Sequence, residues 1–425
     1  MILRLRSVLT QMKKMKWCFF FILVLIGFKS FSQEKDLFYF IDKARLNSPL
    51  LADYQNQIKI STLDSLLNKA SYKTQVAGNL NASYAPVING YGYDTALSNG
   101  QMVSALVGFN QRILGKNQIN SQAESFKLIK DALVINKKVA VKDLDKSIIS
   151  QYITAFGTEK QMVFNNKITT LLKEEEVILK KLTKNSIYKQ TDYLIFNATI
   201  KQQELTALQL KQQYQNDLAL LNYLTGENDT TLVKLKEPDL TIKTDKEQGN
   251  IFLKQFETDS LKIKNADKLI DNNYKPSLSL LGDAGYNSSF ISQGYKNFGF
   301  SVGLGMSIPI YDGNQRNIQH QKNSMALATN ESYVQNFKRQ YQQQLFLLNQ
   351  KLNQSIETNK MLQSQLLVAE ALIEANKKLL LTGDAQITEY IIALSNLISI
   401  QTAIAQNSVN NLQTINEINY WKSNE

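Results

Sequence analysis

The side chains that most often carry catalysis or bind metals are nearly absent from this 425-residue sequence. It contains one histidine, His320, and one cysteine, Cys18. Cys18 lies in an apolar segment near the N-terminus, so a mature chain without that segment has no thiol for nucleophilic attack or a disulfide. A metal site or a nucleophile–base pair needs several such groups together, and His320 has no second histidine and no cluster of acids beside it. We therefore expect no enzymatic activity, no metal and no cofactor.

The first 32 residues have the composition of a secretory signal peptide. A basic stretch at residues 4–16 precedes an apolar run at 18–28, and Ser30 and Ser32 occupy positions −3 and −1 of a cleavage site before Gln33. The run is shorter than the roughly 20 residues that span a bilayer, so a membrane anchor is the less favoured alternative. Removing residues 1–32 takes away six basic residues and no acid, which lowers the formal net charge from +11 to +5. We therefore expect a secreted protein that does not bind nucleic acid.

The rest of the sequence contains an internal repeat. Residues 180–224 recur 197 positions later, so that the sequence Thr-Asp-Tyr-Leu at 191–194 returns as Thr-Glu-Tyr-Ile at 388–391. This period is far longer than the 20–50 residues of solenoid repeats. It predicts two copies of one module, at 33–228 and 248–425, joined by a linker or equatorial element at 229–247.

Each repeat contains two predicted strands. They lie at about 76–84 and 102–113 in the first repeat, and at about 277–286 and 298–310 in the second. Between 298 and 310 large apolar residues alternate strictly with glycine, serine and proline. This pattern fits a membrane-barrel strand with lipid on one face and water on the other. It fits a half-buried strand of an ordinary sheet equally well.

A very long helix follows each strand pair, at about 116–184 and 314–381. In the second helix apolar residues recur at intervals of three and four, as in a coiled coil: Val334, Phe337, Tyr341, Leu345, Leu348, Leu352 and Ile356. At 1.5 Å per residue such a helix would extend about 100 Å. The other faces are rich in Gln, Asn and Lys, which favours helices that line water over helices that surround one core.

Three short motifs add a family resemblance to this pattern. The sequence Ala-Arg-Leu-Asn-Ser-Pro at 44–49 resembles the opening helix-to-helix step of the TolC family of outer-membrane efflux proteins. The segment Ser-Ile-Pro-Ile-Tyr-Asp-Gly at 307–313, followed by Asn-Gln-Arg, is similar to that family's strand-ending signature. Leu-Thr-Gly at 224–226 resembles the end of its first repeat. The resemblance spans the whole mature chain.

This resemblance implies a mainly α-helical fold with a β-barrel part. In the family, three chains each give four strands to a 12-stranded outer-membrane β-barrel, which continues as a periplasmic α-helical coiled-coil tunnel. Geometry supports a trimer as well, because four strands cannot close a barrel and an open sheet edge is not tolerated in lipid. Three chains would provide enough strands for an aqueous lumen.

The implied function is the outer-membrane channel of a tripartite efflux or type I secretion system. It would passively conduct substrates from an inner-membrane pump across the periplasm and outer membrane. Its partners would be two further copies of the chain, a periplasmic adaptor, the pump and outer-membrane lipid. The alternative is a soluble periplasmic coiled-coil scaffold or adhesin without transport activity.

The resemblance also implies a periplasmic gate at the hairpin turns. Glu389 matches the position where the family carries an acidic residue at the closed mouth, and Asp192 is its counterpart in the first repeat. Three carboxylates around a narrow mouth would bind cations and repel one another. Simpler roles are a solvated charge at a helix N-terminus for Glu389 and helix capping for Asp192. A second family acid, expected one turn after Glu389, is replaced by Ile392.

Two further groups of residues complete the expected sites. The exposed tips of the hairpins, Lys184 and Asn185 in the first repeat and Gly383 and Asp384 in the second, are the candidates for docking the adaptor. Pro309, Asp312 and Gly313 are expected to form a structural turn between the last strand and the long helix.

Overall fold

The computed structural model describes residues 35–94, 100–229, 231–243, 250–289 and 294–422. The predicted signal peptide, 1–32, lies outside the described residues. Two series of elements follow the same order, a helix, two strands, a long helix and a shorter helix, after a first short helix, α1 (Leu37–Asn47). The first series is α2 (Pro49–Ser71), β1 (Gln75–Tyr84), β2 (Gln101–Ile113), α3 (Lys116–Lys184) and α4 (Gln190–Thr225). The second is α5 (Ile251–Asn273), β3 (Ser277–Ser288), β4 (Phe298–Ser307), α6 (Gln315–Thr382) and α7 (Ile387–Trp421), with a short 3₁₀ turn at Gly294–Lys296.

The chain forms two compact units that do not coincide with the two sequence repeats. Unit 1 contains α1, residues 144–242 and residues 348–418. Unit 2 contains residues 48–143, residues 243–347 and the end of α7. Each unit therefore draws on both repeats, because α3, α6 and α7 pass from one unit into the other. The strands all belong to unit 2 and the hairpin turns to unit 1.

Unit 2 contains one four-stranded antiparallel sheet in the order β1-β2-β3-β4. Its hydrogen-bond register pairs Leu80 with Ala105, Val107 with Ala284, and Val302 with Gly282. Residues paired directly across antiparallel strands point to the same face of the sheet. The register therefore determines which side chains of the four strands share a face.

One face of the sheet is apolar across all four strands. It carries Val76, Leu80 and Tyr84 of β1, Val103, Val107, Phe109 and Ile113 of β2, Leu278, Leu280 and Tyr286 of β3, and Phe298, Phe300, Val302, Leu304 and Met306 of β4. On β4 these side chains are largely exposed, with Phe300 at 84%. The opposite face is mostly Asn, Ser and Gly, with Leu106 and Leu281 among its exceptions. There Ser301 donates a hydrogen bond to Asp283 across the strands, at 2.6 Å.

Two glycines of β3 are required by close contacts with β2. The ring of Phe109 covers Gly282, where an added Cβ would lie 2.4 Å from Cε1. An aromatic ring over a strand glycine supplies the packing that the glycine lacks. Gly285 has a φ of +152°, and a Cβ there would lie 2.1 Å from the carbonyl oxygen of Ala105. Because that obstacle is backbone, only glycine fits at 285.

The sequence motifs occupy turns and caps. Ser48 caps α2 through a hydrogen bond from Leu51 N, and Pro49 begins the helix. Gly226, with φ +70°, ends α4. Asp312 accepts hydrogen bonds from the backbone N–H groups of Asn314 and Arg316 at the start of α6, and Gly313 has a φ of +65°. β4 ends at Ser307, two residues before Pro309, whereas the sequence predicts a strand that continues to about residue 310.

The apolar stripe of α6 agrees with the predicted seam except at its end. The first four seam residues are half-buried, and Leu348 and Leu352 are buried. Ile356 is 41% exposed, and its neighbour Ser355 is buried instead. The observed stripe from Val334 to Ser355 therefore recurs every 3.5 residues on average, the coiled-coil spacing, whereas the predicted seam to Ile356 averages about 3.7 residues.

Unit 1 has two apolar cores. The first combines α3, α4, α6 and α7 and contains Ile168, Leu172, Leu179, Tyr188, Phe196, Ile200, Ala369, Ile373, Leu380, Ile387, Tyr390, Ala393, Leu394, Leu397 and Ile400. The second packs α1 and Leu235 of the linker against α3 and α4. Tyr152 and Tyr214 donate hydrogen bonds to the backbone carbonyls of Lys236 and Val233. The described part of the linker is thus held against the helices of unit 1.

One described helix, α7, is long and apolar enough to cross a membrane by length and composition. About a third of its most apolar 18-residue segment is buried. The sequence predicts no such helix, because polar residues interrupt the apolar residues of α7. Six of its apolar residues from Ile387 to Ile400 pack in the first core of unit 1, so packing accounts for this composition.

Candidate functional site

The two hairpin turns of unit 1 lie close together. The first connects α3 to α4 at residues 185–189, and the second connects α6 to α7 at residues 383–386. Lys184, Asn185 and Asp384 are exposed there, and Gly383 is half-buried. Gly383 has a φ of +82°, and a Cβ at this position would lie 2.7 Å from Cγ2 of Ile187 in the first turn. Of the four predicted docking residues, three therefore present accessible side chains and one allows the turns to approach each other.

Tyr188 links the first turn to the second. Its ring is buried, and its hydroxyl lies 3.0 Å from the carbonyl oxygen of Leu380 and 2.9 Å from that of Ala385. A hydroxyl has one hydrogen, so it donates to these two acceptors in alternation or as a shared bond. Burial raises the pKa of Tyr188, which keeps the hydroxyl protonated and able to donate. The repeat offset of 197 places Ala385 opposite Tyr188, so the second turn has no equivalent tyrosine.

The two predicted gate acids have different surroundings. Glu389 is exposed in the first turn of α7, and its carboxylate has no hydrogen-bond or ion-pair partner within the described ranges. Asp192 is half-buried and accepts a hydrogen bond from the backbone N–H of Lys189 at 3.1 Å. This contact is a helix-capping interaction. Ile392 is 68% exposed one turn beyond Glu389, so an apolar side chain adjoins the carboxylate.

An ion pair between a half-buried lysine and a buried glutamate joins the long helices of the two repeats. Lys377 of α6 donates to Glu175 of α3 at 2.9 Å, and the side chain of Glu175 is only 2% exposed. This hydrogen bond is the largest cause of the raised pKa of Lys377. The second oxygen of Glu175, Oε2, is buried and has no hydrogen-bond partner in the part of the chain that the structure describes. The pair therefore places an incompletely satisfied carboxylate inside unit 1.

The repeat symmetry explains a second unsatisfied group near this pair. In the first repeat Tyr193 donates to Glu176 at 2.9 Å. The offset of 197 places Tyr390 opposite Tyr193 and Ile373 opposite Glu176. Among the described residues the hydroxyl of Tyr390 consequently has no partner, although its ring is fully buried. Burial raises the pKa of Tyr390, and the negative charge of Glu175 adds to this effect.

His320 belongs to an ion-pair network in unit 2. Its Nδ1 lies 2.7 Å from Asp267 and its Nε2 lies 3.1 Å from Asp271. The hydrogen bond to Asp267 is the largest cause of its raised pKa. Arg316 also binds Asp271, at 2.8 Å. The sequence prediction that no acids surround His320 is wrong, because α5 brings two carboxylates to it; within the described ranges no group of three or more side chains could hold a metal ion.

Comparison with known proteins depends on structure, because no family model and no curated protein match the sequence. The alignment with the outer membrane protein VceC of Vibrio cholerae covers 91% of this chain and 96% of the VceC chain, with a TM-score of 0.75 and 12% identity. The fold is that of the outer-membrane channels. The alignment with the CmeC outer membrane channel of Campylobacter jejuni covers 91% of this chain and 85% of the CmeC chain, with a TM-score of 0.72 and 13% identity. The alignment with the open state of the Neisseria gonorrhoeae MtrE outer membrane channel covers 91% of this chain and 88% of the MtrE chain, with a TM-score of 0.72 and 12% identity.

At the level of the fold, these matches confirm the resemblance to the TolC family. A mostly helical chain with a small antiparallel sheet, as predicted, is the outer-membrane channel fold. Sequence reasoning missed Tyr188, Glu175 and Lys377, which make polar contacts between the two hairpins. Comparison of the two repeats would have provided a signal for Tyr188, since the offset aligns it with an alanine.

Proposed function

We propose that this protein is the outer-membrane channel component of a tripartite efflux or type I secretion system. The observation that carries the proposal is the sheet of unit 2, whose apolar face continues across all four strands while the opposite face is polar. Exposed apolar surface of this extent is typical of a membrane or protein interface. Strands of about ten residues with one lipid face match the height of an outer-membrane barrel.

The two open edges of the sheet support assembly as a trimer. Both β1 and β4 are edge strands of the four-stranded sheet, and open edges are not tolerated in lipid. Three copies would close a barrel of twelve strands if β4 of one chain pairs with β1 of the next. The barrel would lie in the outer membrane, and the helices of unit 1 would extend into the periplasm.

The channel would act passively with two partners. A periplasmic adaptor would dock on the exposed tips at Lys184, Asn185 and Asp384, and an inner-membrane pump would supply the energy. Glu389, which is exposed and has no partner among the described residues, would line the closed mouth. Asp192 would support the same region by capping α4.

The test is the mass of the native particle after membrane fractionation. A trimer that remains in the outer-membrane fraction and requires detergent for extraction supports the channel. A monomer or dimer that stays in solution without detergent contradicts it, and would favour the soluble periplasmic scaffold.

Replacing Glu389 by alanine should weaken the block of single-channel current by divalent cations. Three carboxylates at one mouth bind a divalent cation together, and losing about 1.4 kcal/mol of that binding weakens block roughly tenfold. Glu389→Gln, which keeps the size and removes the charge, should have the same effect. Unchanged block in both variants would remove Glu389 from the mouth.

Replacing Tyr188 by phenylalanine should increase the time that the channel spends open. The change removes the hydrogen bond that ties the two turns together, worth about 1 kcal/mol per chain, and so raises the open-to-closed ratio about fivefold per chain. The matched control is Tyr193→Phe, which removes a hydroxyl that binds Glu176 within the first hairpin. Bilayer recordings with equal open times in both variants would contradict a special role for Tyr188.

A further inference from the structure

His320 places both of its ring nitrogens against carboxylates. Its Nδ1 lies 2.7 Å from Oδ1 of Asp267, and its Nε2 lies 3.1 Å from Oδ1 of Asp271. A neutral imidazole has one N–H group, so it donates only one of these hydrogen bonds and turns the lone pair of its other nitrogen toward a carboxylate. The imidazolium form donates both. The geometry therefore fits the protonated histidine better than the neutral one.

These contacts connect two helices at their sheet ends. Asp267 and Asp271 lie one turn apart near the end of α5, which leads into β3. His320 lies in the second turn of α6, which follows β4. Arg316, one turn before His320, also binds Asp271, at 2.8 Å. The network thus holds together the two helices that flank the second strand pair.

The two aspartates decide the protonation of the histidine against several nearby cations. Further titratable groups around the contacts are Arg316 at the start of α6, Asp312 in the turn before it, Lys268 on α5, and Tyr274 and Lys275 just after α5. Positive charges favour a neutral histidine. The pKa of His320 is nevertheless raised, above all by the hydrogen bond to Asp267, while desolvation acts in the opposite direction.

On its other side α5 is bound to α3 by uncharged side chains. Asn265 donates to the carbonyl oxygen of Ser121 at 3.0 Å, and Asn272 donates to Oγ of the same serine at 3.0 Å. Both asparagines are buried. Amide and hydroxyl groups keep their hydrogen bonds across neutral pH, because they do not titrate there. A change in pH therefore acts on the contact of α5 with α6 and leaves these bonds to α3 in place.

The corresponding positions of the first repeat carry different residues. Tyr72 and Tyr274 follow the ends of α2 and α5 in the same way. Counted from these tyrosines, Ser65 and Lys69 take the places of the two aspartates. Counted from the starts of α3 and α6, Ser121 takes the place of the histidine. These positions therefore set the second strand pair apart from the first.

We propose that His320 is a proton-dependent latch between α5 and α6. With its proton bound, the imidazolium donates to both aspartates and fixes the sheet end of α5 against α6. When the proton is lost, one of the two contacts breaks, and this end of α5 separates from α6 while it stays bound to α3. The latch lies within unit 2 of a single chain, so the inference goes beyond the proposed channel function and does not rest on it.

The first measurement is the protonation of His320 in the full chain. The sequence contains one histidine, so a protein labelled with [13Cε1]histidine and purified without a histidine tag gives the NMR signal of this residue alone. We expect a titration midpoint above about 6.5, the ordinary value, and a lower midpoint in Asp267→Asn. A wild-type midpoint at or below about 6.5 would overturn the proposal.

The raised pKa makes the latch strongest in acid. The folded chain holds the proton more tightly than the unfolded chain, so the added stability is fully present below about pH 6.5. It is lost as the pH rises through the folded pKa of His320.

Hydrogen exchange in α5 measures the latch itself. Wild type and His320→Gln are compared at the same pH, so that the intrinsic exchange rate cancels. Two units below the measured midpoint, we expect residues 264–273 to exchange about three to ten times faster in the variant, because the His320 side chain is 30% exposed and water screens part of its charge. Two units above the midpoint, the rates should be equal. A difference that is the same at both pH values, or no difference at either, would overturn the latch.

Two further variants separate titration from packing. Asn330 of α6 donates to the backbone carbonyl of Phe256 on α5 at 3.0 Å, a neutral contact between the same helices. Asn330→Ala should therefore speed exchange near Phe256 by the same factor at both pH values. His320→Arg keeps a positive charge throughout and should protect residues 264–273 equally at both. If this protection falls at high pH as in wild type, another group titrates, and His320 is not the latch.

Discussion

Replacing Val302 by arginine should prevent stable assembly of the protein in the outer membrane. Val302 lies in the middle of β4 on the apolar face, is paired with Gly282 on β3, and is 67% exposed. If this face contacts lipid, an arginine near the bilayer midplane costs about 2–4 kcal/mol per chain. A trimer carries three copies, so the total of roughly 6–12 kcal/mol is comparable to the whole stability of many folded proteins.

The chain offers a matched control at the next residue. Gly303 lies on the opposite, polar face of β4, and a Cβ added there would meet no atom within 4 Å. Gly303→Arg therefore introduces the same charge and bulk on the water-filled side of the proposed barrel. We expect it to assemble normally and to alter only the conductance.

The measurement is the amount of heat-resistant trimer extracted from the outer-membrane fraction. We expect a large loss for Val302→Arg and near-normal amounts for Gly303→Arg. In a soluble scaffold the apolar face would meet water, and arginine at 302 would be tolerated or would improve solubility. Equal yields of the two variants would therefore contradict a lipid-facing role of this face.

The strands of the sheet were largely predictable from the sequence. That all four direct their apolar residues to the same face was not. The alternation between 298 and 310 predicts a two-faced strand on local grounds. Whether β1, β2 and β3 direct their apolar residues to the same side depends on the register, which pairs residues far apart in the chain. The sequence pattern also predicts that the last strand continues through Pro309. Proline lacks the backbone N–H that pairs with a neighbouring strand, which favours the end of the strand before this residue.

The contacts around the hairpin turns illustrate a different limit. The repeat offset identifies Glu389 and Asp192 as counterparts, and the turns occur where the repeat predicts them. Tyr188 contacts carbonyl groups 192 and 197 residues away. No local pattern shows such a contact, since a tyrosine in a polar turn has the same sequence signature when it is solvated. Likewise, the acids that bind His320 precede it by 49 and 53 residues, beyond any window read along one helix.

Replacing Lys377 by methionine should be among the most destabilising single changes in unit 1. Methionine removes the partner of Glu175 and leaves a carboxylate that is only 2% exposed without its ion pair. Breaking a buried ion pair by removing one partner costs about 3–5 kcal/mol. For a unit of this size that corresponds to a decrease in Tm of roughly 6–20 °C.

Lys378, the adjacent residue, provides the control. A double variant separates the loss of the ion pair from the cost of leaving the carboxylate of Glu175 buried and unpaired. Lys378 is exposed, so Lys378→Met should change the free energy of unfolding by less than about 0.5 kcal/mol. Glu175→Leu combined with Lys377→Met should recover most of the lost stability, because a buried pair replaced by apolar groups is often neutral or favourable. Thermal unfolding of the three variants in detergent measures both effects.

The outcome also bears on the role of this pair in the two repeats. Glu175 belongs to the first repeat and Lys377 to the second, and the offset of 197 places Leu372 and Lys180 opposite them. The ion pair therefore has no symmetric copy, which means that it joins the two hairpins of one chain in a single specific arrangement. If Lys377→Met lowers Tm no more than Lys378→Met, Glu175 must reach water in solution, and the pair would not fix that arrangement. If the double variant regains stability but opens more often in bilayer recordings, the pair would serve to hold the two hairpins in register rather than to stabilise the fold.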